Sequence, residues 1–335
     1  MDGDMNRRRL LSLSASLMGL SACAPVIQQA GMPGASFGGP RLEDDAFVSF
    51  DGTRLGMQRW MPLGYARGEE PWAVVVGLHG MNDYSQAFHL AGPAWAAQGI
   101  ATYAYDQRGF GRSPQHGGWG GPLLLEDLRV FAALARARHP NAVLAVVGIS
   151  MGGAVALAAA ASDRPPAFDR MVLASPAVWG WSHQSLPNKT SLWLLAHVDG
   201  AHVLTPPEWL TKHITPTDNR EELMRMGRDP QMIWGARVDT TYGIVSLMEE
   251  GYRSVGKASV PTAYLYGAHD QIIPQSAAFP ATKNLKLSDI SAYYPDGYHL
   301  LLVDNSAARV WGDVAGFLKN PSAPLPSAPS RILAP

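Results

Sequence analysis

The stretch Val143-Leu144-Ala145-Val146-Val147-Gly148-Ile149-Ser150-Met151-Gly152-Gly153-Ala154-Val155-Ala156 decides the fold. It opens as a short apolar, β-branched run, the mark of a strand buried on both faces. It closes as an alanine-rich run with no breaker, which predicts a helix. Between the two lies Gly-x-Ser-x-Gly, so Ser150 stands on a sharp strand-to-helix turn. Gly148 and Gly152 flank a backbone too tight for Cβ atoms, because the nucleophile of such an elbow is held in a strained conformation. The turn lifts the Ser150 hydroxyl clear of the sheet and aims the first amides of the helix at whatever it attacks. A glycine-rich helix start with a chance serine is the bland alternative. The strand before and the helix after favour the nucleophile.

The chain has 335 residues, 47% of them hydrophobic and 16% charged, with a formal net charge of -1. That length suits one large α/β domain. The charge excludes electrostatic steering towards nucleic acid. One cysteine permits neither an internal disulfide nor a multi-cysteine metal site.

Residues 1–23 read as an export signal: Arg7-Arg8-Arg9 is a positive n-region, and Leu10 to Gly19 is apolar but too short to span a bilayer. Leu20-Ser21-Ala22-Cys23 resembles the lipobox of bacterial lipoproteins, and the chain's one cysteine stands at the lipidation position. The expectation is a membrane-anchored lipoprotein of the bacterial cell envelope. Residues 24–43 read as a flexible tether, and the Pro, Ser and Ala of residues 319–335 as a disordered tail.

Residues 44–318 then form the folded part. A hairpin is expected around Asp51-Gly52. Strands are expected at Ala73–Leu78, Ile100–Tyr105, around Ser150, Met171–Ala174, Thr262–Tyr266 and Asp289–Tyr294. Helices are expected at Gln86–Gln98, Leu123–Arg138, after Ser150, and at Ala307–Leu318. That alternation predicts a mostly parallel sheet with helices on both faces. From about 176 to 258 it stops, Pro187, Pro206, Pro207, Pro216 and Pro230 promise short helical pieces, and Trp179, Trp181, Trp193, Trp209 and Trp234 accumulate. This insertion reads as a helical cap over the carboxyl edge of the sheet, where ligands of open α/β sheets bind.

A serine nucleophile needs a base, an orienting acid and an oxyanion hole. His299, in Pro295-Asp296-Gly297-Tyr298-His299 after the last strand, is placed for the base. Asp270, in Gly267-Ala268-His269-Asp270 just past the preceding strand, is placed for the acid. The order Ser150, Asp270, His299 is that of α/β-hydrolases. Competing carboxylates are Asp296, Asp239 and Asp106, the last of which reads as a pin for its own loop. The Met151 amide, next to the nucleophile, and the Met81 amide, after His79-Gly80, are the expected oxyanion donors. The Met81 side chain is expected to matter little.

In order, His79-Gly80, Asp106-Gln107-Arg108-Gly109-Phe110-Gly111-Arg112-Ser113, Gly148-Ile149-Ser150-Met151-Gly152-Gly153, Gly267-Ala268-His269-Asp270 and Tyr298-His299 resemble the landmarks of one family. It is the α/β-hydrolase branch of monoacylglycerol lipases and lysophospholipases, also grouped with the serine aminopeptidases. The resemblance implies a capped serine hydrolase acting on a lipid-like ester without metal or organic cofactor. Two departures stand out. Where that branch often continues with Glu-His after the His-Gly loop, this chain has Asn82-Asp83, and Leu300-Leu301 follows the histidine where Glu is common. A peptidase or amidase of the same fold is the nearest rival, with Glu208, Glu221 and Glu222 as candidates to hold a substrate amine. A catalytically silent lipoprotein binding an apolar ligand or a partner is the rival from another class.

Overall fold

The computed structural model describes residues 24–207, 209 and 213–332. The expected export signal and Cys23 therefore lie outside the described residues. Strands β1 (Arg41–Leu42), β2 (Ala46–Val48) and β3 (Arg54–Trp60) form an antiparallel entry to the sheet, with Gly52 at φ 76° in the β2–β3 turn. Strands β4 (Ala73–Leu78), β5 (Ile100–Tyr105), β6 (Val143–Ile149), β7 (Arg170–Ala174), β10 (Thr262–Gly267) and β11 (Ile290–Tyr294) run parallel. The order is β1-β2-β3-β5-β4-β6-β7-β10-β11. The chain moves outward from β4 to β5, then returns to lay β6 on the other side of β4. That reversal is the topological switch point, where a crevice opens at the carboxyl ends of the strands. His79 follows β4 and Ser150 follows β6, so both stand at its mouth.

Alternation along the central strands divides the core into two layers. Val74, Val76, Leu144, Val146 and Tyr264 face one layer, under helices α2 (Leu123–Arg138) and α3 (Met151–Ala160). Ala73, Val75, Ala145, Val147 and Leu265 face the other, under α1 (Ala91–Ala96) and α8 (Ala307–Lys319). Helix α7 (Gln275–Thr282) joins β10 to β11. The Gln86–Gln98 stretch is a 3-10 turn and then the short α1, not one helix.

One buried ionic knot ties the entry hairpin to the sheet. The Arg108 guanidinium donates to both carboxylate oxygens of Asp51 at 2.9 Å and to those of Asp127 at 2.7 and 2.8 Å. Burial opposes charge on Asp51, but hydrogen bonds from Arg108 and from the Gly31 and Thr53 amides outweigh it and hold its carboxyl below the ordinary value.

Between β7 and β10 the insertion carries α4 (Leu186–Val198), a short antiparallel pair β8 (Val203–Leu204) and β9 (Ala236–Arg237), α5 (Arg220–Arg228) and α6 (Val238–Ser254). Its helices are longer than the prolines promised. Pro187 sits in the first turn of α4, where its missing N–H costs nothing. The insertion does lie at the carboxyl edge. The Ile233 amide donates to the Asn82 carbonyl at 3.1 Å, and the Leu300 amide to the Pro216 carbonyl at 2.9 Å.

Two expectations about the ends are corrected. Residues 24–43 are not a free tether. The Gln28 amide donates to the Trp119 carbonyl at 2.9 Å, its side chain to the Gly118 carbonyl at 2.9 Å, and the Gly31 amide to Asp51 at 2.7 Å. Residues 319–332 are not a disordered tail either. The Tyr293 amide donates to the Ser330 carbonyl at 2.8 Å, Ser327 donates to Asp313 through its amide at 2.7 Å and its hydroxyl at 2.5 Å, and Leu325 and Ile332 are buried. The physical reason is that β11 is an edge strand whose open backbone groups invite a partner. Composition alone does not register that opportunity.

Candidate active site

The Gly-x-Ser-x-Gly turn folds as its glycines require. Ser150 has φ 49° and ψ −114°, a conformation that costs a non-glycine residue energy and persists only where the surroundings impose it. Those surroundings are visible. The Ser150 amide donates to the Ala174 carbonyl at 3.0 Å, and the Ser150 carbonyl accepts from Ala177 at 3.0 Å, so the end of β7 clamps the turn. A Cβ on Gly152 would strike the Leu78 carbonyl, and one on Gly148 would strike Gly152. The Ser150 hydroxyl makes no capping bond to its own helix and is left for chemistry.

Asp270 and His299 sit on the loops after the neighbouring strands β10 and β11. The Asp270 Oδ2 lies 2.8 Å from His299 Nδ1. Its Oδ1 accepts the Ile272 and Ile273 amides at 2.8 and 2.9 Å, which stops the carboxylate from rotating. Burial raises the Asp270 carboxyl, yet the charge and hydrogen bond of His299 and the two amides outweigh it and leave the carboxyl below its usual value. An ionised carboxylate only accepts, so Nδ1 carries the proton and donates. Nε2 of His299 is thereby left as the basic nitrogen. Ile149 and Leu300, the neighbours of Ser150 and His299 in the chain, wall the same small cavity, so the elbow and the histidine loop lie side by side.

The loop after β4 faces the elbow. A Cβ placed on Gly80 would lie 3.4 Å from the Ser150 Cβ, so the loop that carries Met81 packs against the elbow. His79 holds this loop in place. Its Nδ1 donates to the Gly80 carbonyl at 2.7 Å and its Nε2 accepts the Gln107 amide at 2.8 Å. Both ring nitrogens are thus used by a neutral imidazole, and burial lowers its pKa to about 4 despite the Gly80 bond. Among the described residues, neither the Met81 nor the Met151 amide donates to another protein group. The Met81 side chain, expected to matter little, lines an apolar cleft beneath the insertion.

The competing carboxylates are occupied elsewhere. Asp106 is buried and accepts the Ser85 and Arg112 amides at 2.9 Å each. Asp239 pairs with Arg237 at 2.5 Å, and Asp296 lies on the surface 3.6 Å from Arg309. Glu221 is exposed, and Glu208 lies outside the described residues.

Three features were not legible in the sequence. Asp304 accepts the Tyr298 amide at 2.7 Å and so braces the histidine loop, while burial pushes its carboxyl up to about 6. Glu222, named above as a candidate to hold a substrate amine, is buried and bonded to Arg225 at 2.5 Å and to His89 at 3.2 Å. Asp83 is buried beside that pair, and burial lifts its carboxyl to about 7 against the Tyr84 amide and Arg225. The amphipathic spacing of α5 places Glu222 and Met226 on one inward face, the only local signal that could have found the cluster.

Known proteins resemble this chain in sequence and in fold. The model of the family described as serine aminopeptidase, S33, matches residues 69–306. A monoacylglycerol lipase of Mycolicibacterium smegmatis is 24% identical over 297 residues, covering 82% of this chain and 96% of that protein. A monoglyceride lipase of Homo sapiens is 24% identical over 270 residues, covering 76% and 82%. The structure of a soluble variant of monoglyceride lipase from Saccharomyces cerevisiae, in complex with a substrate analog, superposes with a TM-score of 0.68 at 17% identity, covering 88% of this chain and 100% of that one.

Proposed function

This chain belongs to the serine aminopeptidase, S33, family, and we propose that within it the chain cleaves carboxylic esters of lipid-like substrates, of the monoacylglycerol or lysophospholipid type, through an acyl-enzyme on Ser150. The observation that carries the reading is the His299–Asp270 pair, held at 2.8 Å on the loops after adjacent strands and set beside a serine at φ 49°. His299 Nε2 takes the Ser150 proton as the hydroxyl oxygen attacks the ester carbonyl. Asp270 stays ionised, holds the imidazole in the Nδ1–H form and stabilises the imidazolium. The Met81 and Met151 amides receive the oxyanion. The imidazolium returns its proton to the leaving alcohol. Water then attacks the acyl carbonyl with His299 again as base, releasing the acid and freeing Ser150.

The lipid-like substrate is supported by the lipase names of the relatives and by the cleft at Met81, walled by Leu192, Leu195, Ile244, Val245 and Met248. The peptidase reading loses its best described candidate for holding an amine, because the Glu222 carboxylate is already paired with Arg225. The test is hydrolysis of p-nitrophenyl esters across acyl lengths by the full chain in detergent beside Ser150→Ala. Activity that peaks at medium or long chains and is absent from the variant bears out the reading. Esters left intact while a phosphonate still labels Ser150 would move it to amides.

The leader and Cys23 add a proposal about place. A lipid on Cys23 would hold the enzyme at the bacterial envelope, beside membrane-derived esters. The whole chain is expected in the membrane fraction and its Cys23→Ser variant in the soluble fraction. Equal partitioning of the two would remove the anchor.

A further inference from the structure

Two clefts flank helix α4. The inner one, of 480 Å³, lies between α4 and α6 and reaches Met81 beside the elbow. The outer one, of 680 Å³, is lined by Trp181, Lys189, Thr190, Trp193, Leu194 and Tyr242. The helix divides its side chains between them. Asn188, Ser191, Leu192 and Leu195, spaced as one helical face, look inward, while Lys189, Thr190, Trp193 and Leu194 look outward. Among the described residues, Trp181 alone lines both clefts.

Trp181 is held as a fixed wall. Its indole N–H donates to Ser246 Oγ at 3.0 Å, and its ring lies 5.1 Å from Tyr242 at an interplanar angle of 58°. The backbone behind it is pinned too, because the Ser182 amide donates to Glu249 at 2.8 Å and Gly180 packs so closely on the Glu249 backbone that a Cβ would collide. Both anchors belong to α6, which packs against α3 behind the nucleophile. The same indole therefore walls both clefts.

We propose that Trp181 is a specificity-determining partition that stops the acyl chain of the substrate at the end of the inner cleft, and that the aromatic outer cleft is its latent extension. This rests on the proposed use of Ser150 as nucleophile and of the inner cleft for the acyl chain. The wall is a large flat indole fixed at its polar end, so shortening it joins two apolar spaces without disturbing the elbow, the His299 loop or the oxyanion donors.

The test is the rate at which p-nitrophenyl alkylphosphonates of four to sixteen carbons, which lose p-nitrophenolate as phosphorus bonds to Ser150 Oγ, label the full chain and Trp181→Ala. Each methylene that finds apolar surface multiplies the rate by about fourfold, so the wild-type rate is expected to climb with length and then level off. In Trp181→Ala the climb continues, and the longest probes label about 10- to 100-fold faster than in the wild type, while the butyl probe is unchanged. Thr190→Trp, which refills the outer cleft, restores the plateau in the Trp181→Ala background and changes nothing alone. If Trp181→Ala does not fold, Trp181→Leu carries the same comparison. Identical length profiles, or an equal slowing at every length, overturn the partition. Ester turnover is measured separately. A chain that labels but leaves esters intact overturns the proposed reaction while the labelling profile still decides on Trp181, and no labelling at any length overturns both.

Discussion

At the carboxyl edge of the sheet, Asp106, Asp270, His79 and His299 are buried and each has a named partner. On the insertion above it, Trp193, Leu194, Trp209 and Trp234 stand 51 to 71% exposed. The two regions use hydrogen bonds differently. At the edge they fix the direction of single atoms: two amides stop Asp270 from rotating, and Asp304 holds the backbone next to His299. On the insertion they pin a few points, such as Trp181 to Ser246 and Ser182 to Glu249, and leave the surface between to apolar side chains. Placement of single atoms is built on strand ends, and the apolar surface is left on the insertion, where it contributes little to folding.

The largest expected effect lies at Ser150. Ser150→Ala is expected to lower kcat by about 10⁴- to 10⁶-fold with an unchanged unfolding curve, since the side chain caps nothing. A retained ester activity would move the chemistry away from the elbow. Asp270→Asn comes next, with about a 10⁴-fold loss at neutral pH, because the amide reverses the bond that selects the Nδ1–H tautomer. Alkaline recovery of that activity is the signature that a purely structural loss would not give.

Arg108→Met tests how far the edge depends on its framework. It strands two buried carboxylates and should cost about 3–5 kcal/mol in denaturant unfolding. The linkage has a definite sign: the Asp51 carboxyl lies below its unfolded value, so its contribution is present above that value and lost as pH falls into the acid range. At the seam between the regions, Asp83 has the opposite sign. Its carboxyl is raised to about 7, so its burden on stability is absent below the unfolded value near 3.8 and grows as pH rises to 7. Asp83→Asn is therefore expected to stabilise the protein more at pH 8 than at pH 5, by at most about 1.4 kcal/mol per pH unit across that window. The smallest effect belongs to the insertion surface. Leu194→Ser should change stability by less than about 0.5 kcal/mol, and a larger loss would mean that this face is part of the core.

The central strands and α2 were legible because buried strands leave apolar runs and helices leave their own period. Ala73–Leu78, Ile100–Tyr105 and Leu123–Arg138 fall where the pattern put them. Ser150, Asp270 and His299 were legible because each follows a strand end and the elbow needs glycines at fixed offsets. Glu222 and Asp83 were not, since a carboxylate on a helix or loop reads as solvated until another element covers it. The ends misled for the same reason. Pro-, Ser- and Ala-rich segments lack a period, and only the open edge of β11 and the groove beside Trp119 explain why they pack.

By itself, then, the sequence determined the sheet, the turn that strains Ser150, and the placing of Asp270 and His299 after strand ends, because these depend on local patterns of burial and on backbone that only glycine permits. The tertiary structure alone decided that His79 is a clamp with both ring nitrogens bonded to backbone and that His299 bonds Asp270 through Nδ1. It alone paired Glu222 with Arg225, docked both ends on the domain, and stood Trp181 between two clefts. Each of these depends on which distant side chain arrives to share a proton, a charge or a face, and that is settled only when the elements pack.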